Sequence, residues 1–204
     1  MYDINASEPD FADLFGIASE QAGYFTSAQA HAYGYSKQLL AYHAATGRFI
    51  RIRRGLYRLR DYPSSPHEEV MAAWLATGRE TSLVSHESAL DLLDLSDVVP
   101  SSIHLLIPRT RRGLPGMPGV MLHTAAHPIR PNEITIREGM RLTAPARTIV
   151  DVAEFGTAPE QVIMAIAQAM DRGWITDAEL RTAARCRDSR VASLIEKGLE
   201  AGGM

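Results

Sequence analysis

The chain has 204 residues, 46% hydrophobic and 22% charged, with a formal net charge of -3, the composition of an ordinary globular protein with apolar material for one or two cores. It contains no run of about 18 apolar residues and does not begin with a basic segment followed by an apolar one, so neither a spanning helix nor a secretory signal is expected, and the expected location is cytoplasmic, with no membrane partner. Cys186 is the one cysteine, which rules out an internal disulfide and a cysteine-rich zinc site.

The small net charge conceals a strong asymmetry. Residues 1–30 carry Asp3, Glu8, Asp10, Asp13 and Glu20 and no Lys or Arg, whereas residues 31–60 carry Lys37, Arg48, Arg51, Arg53, Arg54, Arg58 and Arg60 and no Asp or Glu. Such a block creates a local positive potential whatever the total charge.

In chain order, PDFADLFGIASEQAG has Phe11, Leu14, Phe15 and Ala18 at helical spacing, with Gly23 beyond its end as a stop signal. TSAQAHAYG opens with a capping box, Thr26 and Gln29, and stops at Gly34; Ser36 caps a third helix, KQLLAYHAAT, which ends at Gly47. Only Gly34-Tyr35 separates the second and third helices, the turn length of a helix-turn-helix. FIRIRRGLYRLR then reads as two short strands joined at Arg54-Gly55, where glycine takes the positive φ of a tight hairpin. Alternation puts Ile50 and Ile52 on one face and Arg51 and Arg53 on the other, with Tyr57 and Leu59 opposed to Arg58 and Arg60 in the same way. The expectation is a wing that packs its apolar face on the helices and shows arginine outward.

DYPSSP, residues 61–66, is turn-rich and marks a domain boundary, giving a winged helix-turn-helix at 1–62 and a mixed α+β domain at 63–204. Ser65, Pro66 and Glu68 form a helix-start signature before EEVMAAWLATG. A short strand TSLV, a helix SHESALDLLDL capped by Ser85, strands SIHLLIP and GVMLHT, a third around EITIREGMRLT, and the helix PARTIVDVAEFG follow. Three helices close the chain: PEQVIMAIAQAMDRG, TDAELRTAARC with a Thr176/Glu179 capping box, and SRVASLIEKGLE.

A recognition helix reads bases in the major groove mainly through its N-terminal residues, here Ser36, Lys37 and Gln38, with Tyr42 one turn on. Gln38 has the amide that reads adenine bidentately, and Arg48, Arg51, Arg53, Arg54 and Arg58 of the wing are placed to grip flanking phosphates or enter the minor groove. The plain alternative is a solvated basic face on a small helical domain.

Elsewhere the chemistry is thin. His86, His104, His123 and His127 are residues that bind zinc or carry protons, but none forms an i,i+4 pair on one helix and no pattern places a third ligand. Ser85-His86-Glu87 is contiguous and so lacks the geometry of a triad. Arg147 and Asp151 stand i,i+4 and are assigned a structural role. GLPGMPG, residues 113–119, has no Walker lysine and reads as a strand connector flanked by Arg109, Arg111 and Arg112. No metal, cofactor or catalytic residue is expected.

Four segments, GYFTSAQAHAYGYSKQLLAY, GRFIRIRRGLYRL, SHESALDLLDLSDVVPSSIHLLIPR and LTAPARTIVDVA, follow one another from about Gly16 to Leu180 as they do in the AbiEi-type antitoxins of bacterial type IV toxin-antitoxin systems, which this chain resembles. The resemblance implies a protein that represses its own operon by binding double-stranded DNA repeats in the promoter and that counters a nucleotidyltransferase-like toxin. It implies a DNA-reading segment at Ser36 to Tyr42 and a wing at Arg48 to Arg60. Some proteins with a similar N-terminal half end in a restriction-type nuclease that needs an acid-x-Lys unit. Both lysines here, Lys37 and Lys197, lack the acid, being preceded two places back by Tyr35 and Ile195, so that nuclease is not expected. The competing class is a protein-interaction module whose basic face docks an acidic partner or the toxin itself.

Overall fold

The computed structural model describes residues 9–125 and 128–202; Asp3, Glu8 and His127 lie outside them. The chain divides into two compact units, Met1–Arg79 and Glu80–Met204, each with helices and a sheet, so the α+β class holds for both.

The N-terminal unit runs α1 (Phe11–Ser19), β1 (Tyr24–Thr26), α2 (Ser27–Ala32), α3 (Lys37–Ala45), β2 (Phe49–Arg53), β3 (Leu56–Leu59) and α4 (Glu68–Thr77). Local chemistry accounts for the breaks. Asp10 caps α1 by accepting from the Asp13 N–H, Thr26 and Gln29 form the reciprocal capping box of α2, and Ser36 accepts from the Leu39 N–H at the start of α3. Gly55 takes φ +80° in the hairpin turn, the left-handed value that the turn requires. A third strand, which the sequence did not reveal, completes the sheet: β1 lies antiparallel to β3, giving the order β1-β3-β2. Leu14, Ala18, Phe25, Tyr35, Leu40, Phe49, Tyr57 and Leu59 form the core beneath it.

Two expectations change in this unit. The division falls after α4 because α4 packs across β1 and β3, whereas DYPSSP suggested a boundary before it. The helix also starts later than Ser65-Pro66 implied: its N-cap is His67, with no side-chain cap bond.

The C-terminal unit contains β4 (Leu83–Val84), α5 (His86–Leu92), β5 (Ile103–Pro108), β6 (Val120–Ala125), β7 (Ile134–Arg137), β8 (Met140–Thr143), α6 (Pro145–Phe155), α7 (Pro159–Asp171), α8 (Asp177–Ala184) and α9 (Ser189–Gly202). Its sheet has the order β6-β5-β4-β8-β7 and is mixed: β5 runs parallel to β6 and β4 to β8, while β4–β5 and β7–β8 are antiparallel. The single strand expected around EITIREGMRLT is a hairpin, folded at Glu138-Gly139, both at positive φ (48° and 75°), as a two-residue turn of the mirror-image type demands. Helix α6 packs against α5, α7, α8 and α9, and α7 against α9.

Candidate functional site

The N-terminal turn of α3 is an open polar surface of the first unit. Ser36, Lys37 and Gln38 are exposed, and Tyr42, one turn on, is 61% exposed with its ring edge against His43. The helix is held from behind: Leu40 is buried, Tyr35 packs on Phe49, and His43 lies against both rings. A helix anchored on one face and polar on the other is what insertion into a groove requires.

The wing presents its charge differently from the expected alternation. Phe49 enters the core, with Phe25 edge-on at 4.9 Å and Leu59 as its strand partner, so alternation puts Arg51 on the same side of β2, while the register shift after it pairs Arg53 with Leu56 and takes Arg53 off that side. Arg51 is paired with Tyr57 on that side and is nevertheless exposed. Ile50 instead pairs with Arg58 on the opposite face, and Ile52 is 39% exposed beside a register shift between Arg51 and Arg53. The reason is the extra strand. With β1 on one side of β3 and α4 across it, all four residues of β3 are buried, and a simple inside-outside rule fails.

The seven cations accordingly divide. Lys37, Arg51 and Arg54 are exposed, and among the described residues none is in an ion pair. Arg48 is exposed with its guanidinium 4.0 Å over the Phe11 ring. Arg53 is half-buried, and Arg60 donates to the Gly47 carbonyl. Arg58 is removed from the DNA-facing set: it is buried, donates to Glu68 Oε2 at 2.9 Å and to the Pro63 carbonyl at 3.2 Å, and lies over the Tyr24 ring. An arginine paired with a carboxylate inside the fold cannot also neutralise a phosphate.

The second unit holds a cavity of about 830 Å³ lined among others by His86, His123, Arg147, Asp151, Trp174 and Arg187. On its wall Asp151, 3% exposed, accepts from Arg147 Nε with both oxygens at 2.8 Å and from Arg187 Nη2 at 2.8 Å. Arg147 also donates to Glu133, and Arg187 to Glu154. The i,i+4 pair noted in the sequence is thus the centre of a five-residue network that ties α6 to the segment before β7 and to the loop after α8. Cys186 is exposed and lines the same cavity.

Three histidines that sequence spacing kept apart meet at the edge of this cavity. His104 and His123 project from the same face of neighbouring parallel strands, β5 and β6, since Leu106 is the partner of His123. His86 opens α5 in a left-handed conformation, φ 52°, directly after β4. Ser85, expected to cap α5, makes no cap bond there; its Oγ lies 3.0 Å from His86 Nδ1. His104 Nδ1 is 2.9 Å from His123 Nε2, and the His86 and His123 rings stack at 3.6 Å. Burial pushes His86 down to about 2, with the neighbouring imidazoles and arginines adding to it, and His123 down to about 4; His104 is lowered by burial too. All three are neutral imidazoles near neutral pH, the form that accepts a proton or binds a metal. The signal that could have found them is the parallel pairing of SIHLLIP with GVMLHT, a long-range fact that residue spacing does not contain.

Comparison with known proteins concerns mainly the first unit. Residues 13–60 match the model of a family described as transcriptional regulator, AbiEi antitoxin. That span runs from within α1 through the end of the wing, so the resemblance met in the sequence stands for the winged-helix segment. Among solved structures, the crystal structure of the RV2827C protein from Mycobacterium tuberculosis is similar, with a TM-score of 0.62 at 16% identity, covering 94% of this chain and 76% of that one. At this identity the likeness speaks for the fold, and it extends over both units. No curated protein matches the chain at a significant level. No helix among the described residues is long and apolar enough to cross a membrane.

Proposed function

We propose that this chain is a DNA-binding autorepressor and antitoxin of a bacterial type IV toxin-antitoxin system, which reads repeats in its own promoter and counters a nucleotidyltransferase-like toxin. The observation that carries the DNA half is the surface formed by the N-terminal turn of α3, with Ser36, Lys37, Gln38 and Tyr42 exposed, in the same unit as a hairpin whose Arg51 and Arg54 are exposed without ion pairs among the described residues. In this reading α3 lies in the major groove, Gln38 and Tyr42 contact base edges, and Arg48, Arg51 and Arg54 contact flanking phosphates. Arg58 acts inside the fold, holding the wing strand to α4. The antitoxin half rests on the family match over residues 13–60.

Fluorescence anisotropy with the DNA upstream of the gene and a shuffled duplex, from 50 to 200 mM salt, tests the DNA half. Preference for the upstream duplex, with log affinity falling linearly in log salt, is the expected result. Equal or absent binding to both duplexes overturns it and favours a protein-docking face. Co-expression with the neighbouring gene tests the antitoxin half: growth arrest by that gene alone, relieved by this chain, is expected, and arrest that persists refutes it.

A further inference from the structure

We propose that His86, His104 and His123 form a binding site for a divalent transition-metal ion of the zinc class, at the edge of the cavity in the C-terminal unit. This inference is independent of the DNA reading and uses none of its residues.

Three observations carry it. Each imidazole comes from a different element: β5, β6 and the first residue of α5. One ligand nitrogen from each can be chosen so that all lie within 4.8 Å of one another. Bonds of about 2.0–2.1 Å in a tetrahedral zinc site put ligand nitrogens about 3.3 Å apart, so the nitrogen–nitrogen separations have to close by about 1.5 Å at most. His104 Nδ1 and His123 Nε2 already face each other at 2.9 Å. In neutral rings one proton at most sits between that pair, and a cation can take its place.

The surroundings are those of a ligand set more than of random packing. Ser85 Oγ engages His86 Nδ1, which leaves Nε2 as the free nitrogen and orients the ring from the outside, as an outer-shell partner of a metal ligand does. The His104 N–H donates to Ser88 Oγ at 2.9 Å, and the Ser85 N–H to the His104 carbonyl at 3.0 Å, so the two ligand-bearing segments are fastened together. Phe155 lies edge-on to all three rings, with centroids 5.1 to 5.7 Å away, and forms an apolar wall. His86 holds a left-handed backbone, φ 52°, which is strained for a non-glycine residue and is a feature that gathers at binding sites.

The rings are nearly parallel, with interplanar angles of 13 to 29°. Capture therefore requires them to tilt so that the lone pairs converge. Three histidines fill three tetrahedral positions. The fourth is then open to the cavity, which His86 and His123 line, and would take water or an anionic donor.

The test is zinc titration of the full chain after chelator treatment, by calorimetry and by competition with a chromogenic chelator, with His86→Gln, His123→Gln and Cys186→Ser in parallel. Circular dichroism confirms that each variant is folded. One zinc per chain, at least tenfold weaker in either histidine variant and unchanged in Cys186→Ser, is expected, together with a zinc-dependent rise in the melting temperature of the wild type that the histidine variants lose. Cobalt provides a second readout that does not depend on variant folding: intense visible bands of a four-coordinate ion without a thiolate charge-transfer band. Absence of stoichiometric zinc in the wild type overturns the proposal. So do histidine variants that keep full affinity, or a site lost in Cys186→Ser.

Discussion

Neutralising the wing tip separates the surface arginines from the internal one. In Arg51→Gln/Arg54→Gln, two exposed guanidinium groups with no ion pairs among the described residues are removed, so little folding stability should be lost. Four exposed cations, Lys37, Arg48, Arg51 and Arg54, are available to phosphates. At about 0.9 per phosphate contact, four contacts give a slope of about -3.6 in log affinity against log salt, equivalent to roughly 150-fold between 50 and 200 mM salt. The double variant keeps two, so its slope should fall to about -1.8 and its loss over the same interval to roughly 12-fold. Arg58→Gln is the contrasting case. It breaks the 2.9 Å bond to Glu68 and should cost about 2 kcal/mol of stability in urea unfolding, since a charge-assisted hydrogen bond of a buried group is lost, yet leave the slope of the folded protein unchanged. Anisotropy titrations at four salt concentrations on all three proteins read this directly. A double variant with the wild-type slope, or an Arg58 variant whose slope falls as far as the double variant's, refutes the division of the arginines.

Three further outcomes follow from packing and buried charge. Gly23→Ala places a methyl 2.6 Å from Cβ and Cγ of Tyr62 at a residue with φ +82°, and should lower stability by about 2–4 kcal/mol in denaturant melts; a change under about 0.5 kcal/mol contradicts the steric argument. Asp151→Asn leaves Arg147 and Arg187 facing a neutral amide at a site 3% exposed. The expected loss is about 3–5 kcal/mol, and a variant of unchanged urea midpoint argues against a stabilising role for the network. Gly198→Ala puts a methyl 2.3 Å from Cδ1 of the fully buried Ile166, between α9 and α7, and should cost about 1–3 kcal/mol by calorimetry; a rise in melting temperature would show that the Ile166 side chain gives way.

What was legible in the sequence was local. A capping box is an i,i+3 event, so Thr26 with Gln29 and Thr176 with Glu179 announced their helices, and Arg54-Gly55 announced its hairpin. What was not legible depended on partners distant in the chain. Tyr24–Thr26 is too short to register as a strand until β3 pairs with it. That pairing, with α4 behind, buries Arg58 and puts Phe49 in the core where the alternation favoured Ile50 and Ile52. Ser65-Pro66 had the composition of a helix start, yet α4 begins at Glu68, where Glu68 is held by Arg58. The histidine cluster is the strongest case: a search for i,i+4 pairs tests one helix, while His104 and His123 are brought together by parallel strands and His86 by the turn into α5.

The division of the arginines also bears on how such a protein would occupy its operator. Seven cations between residues 31 and 60 suggest a large electrostatic grip, but Arg58 and Arg60 are engaged within the fold and Arg53 is half-buried. Four remaining contacts are fewer than the six to ten of proteins whose affinity collapses by about 10³–10⁵ over the same salt range. Under the proposed function, a single copy would therefore gain little from phosphates alone and would obtain its preference from base contacts by Gln38 and Tyr42, a bidentate contact by the Gln38 amide contributing about 1–3 kcal/mol. Repeated sites relieve that limit, because two copies held on adjacent repeats add their footprints and raise each other's local concentration. Under the proposed function, a promoter with repeats would suit a small reading head of this kind better than an isolated half-site would.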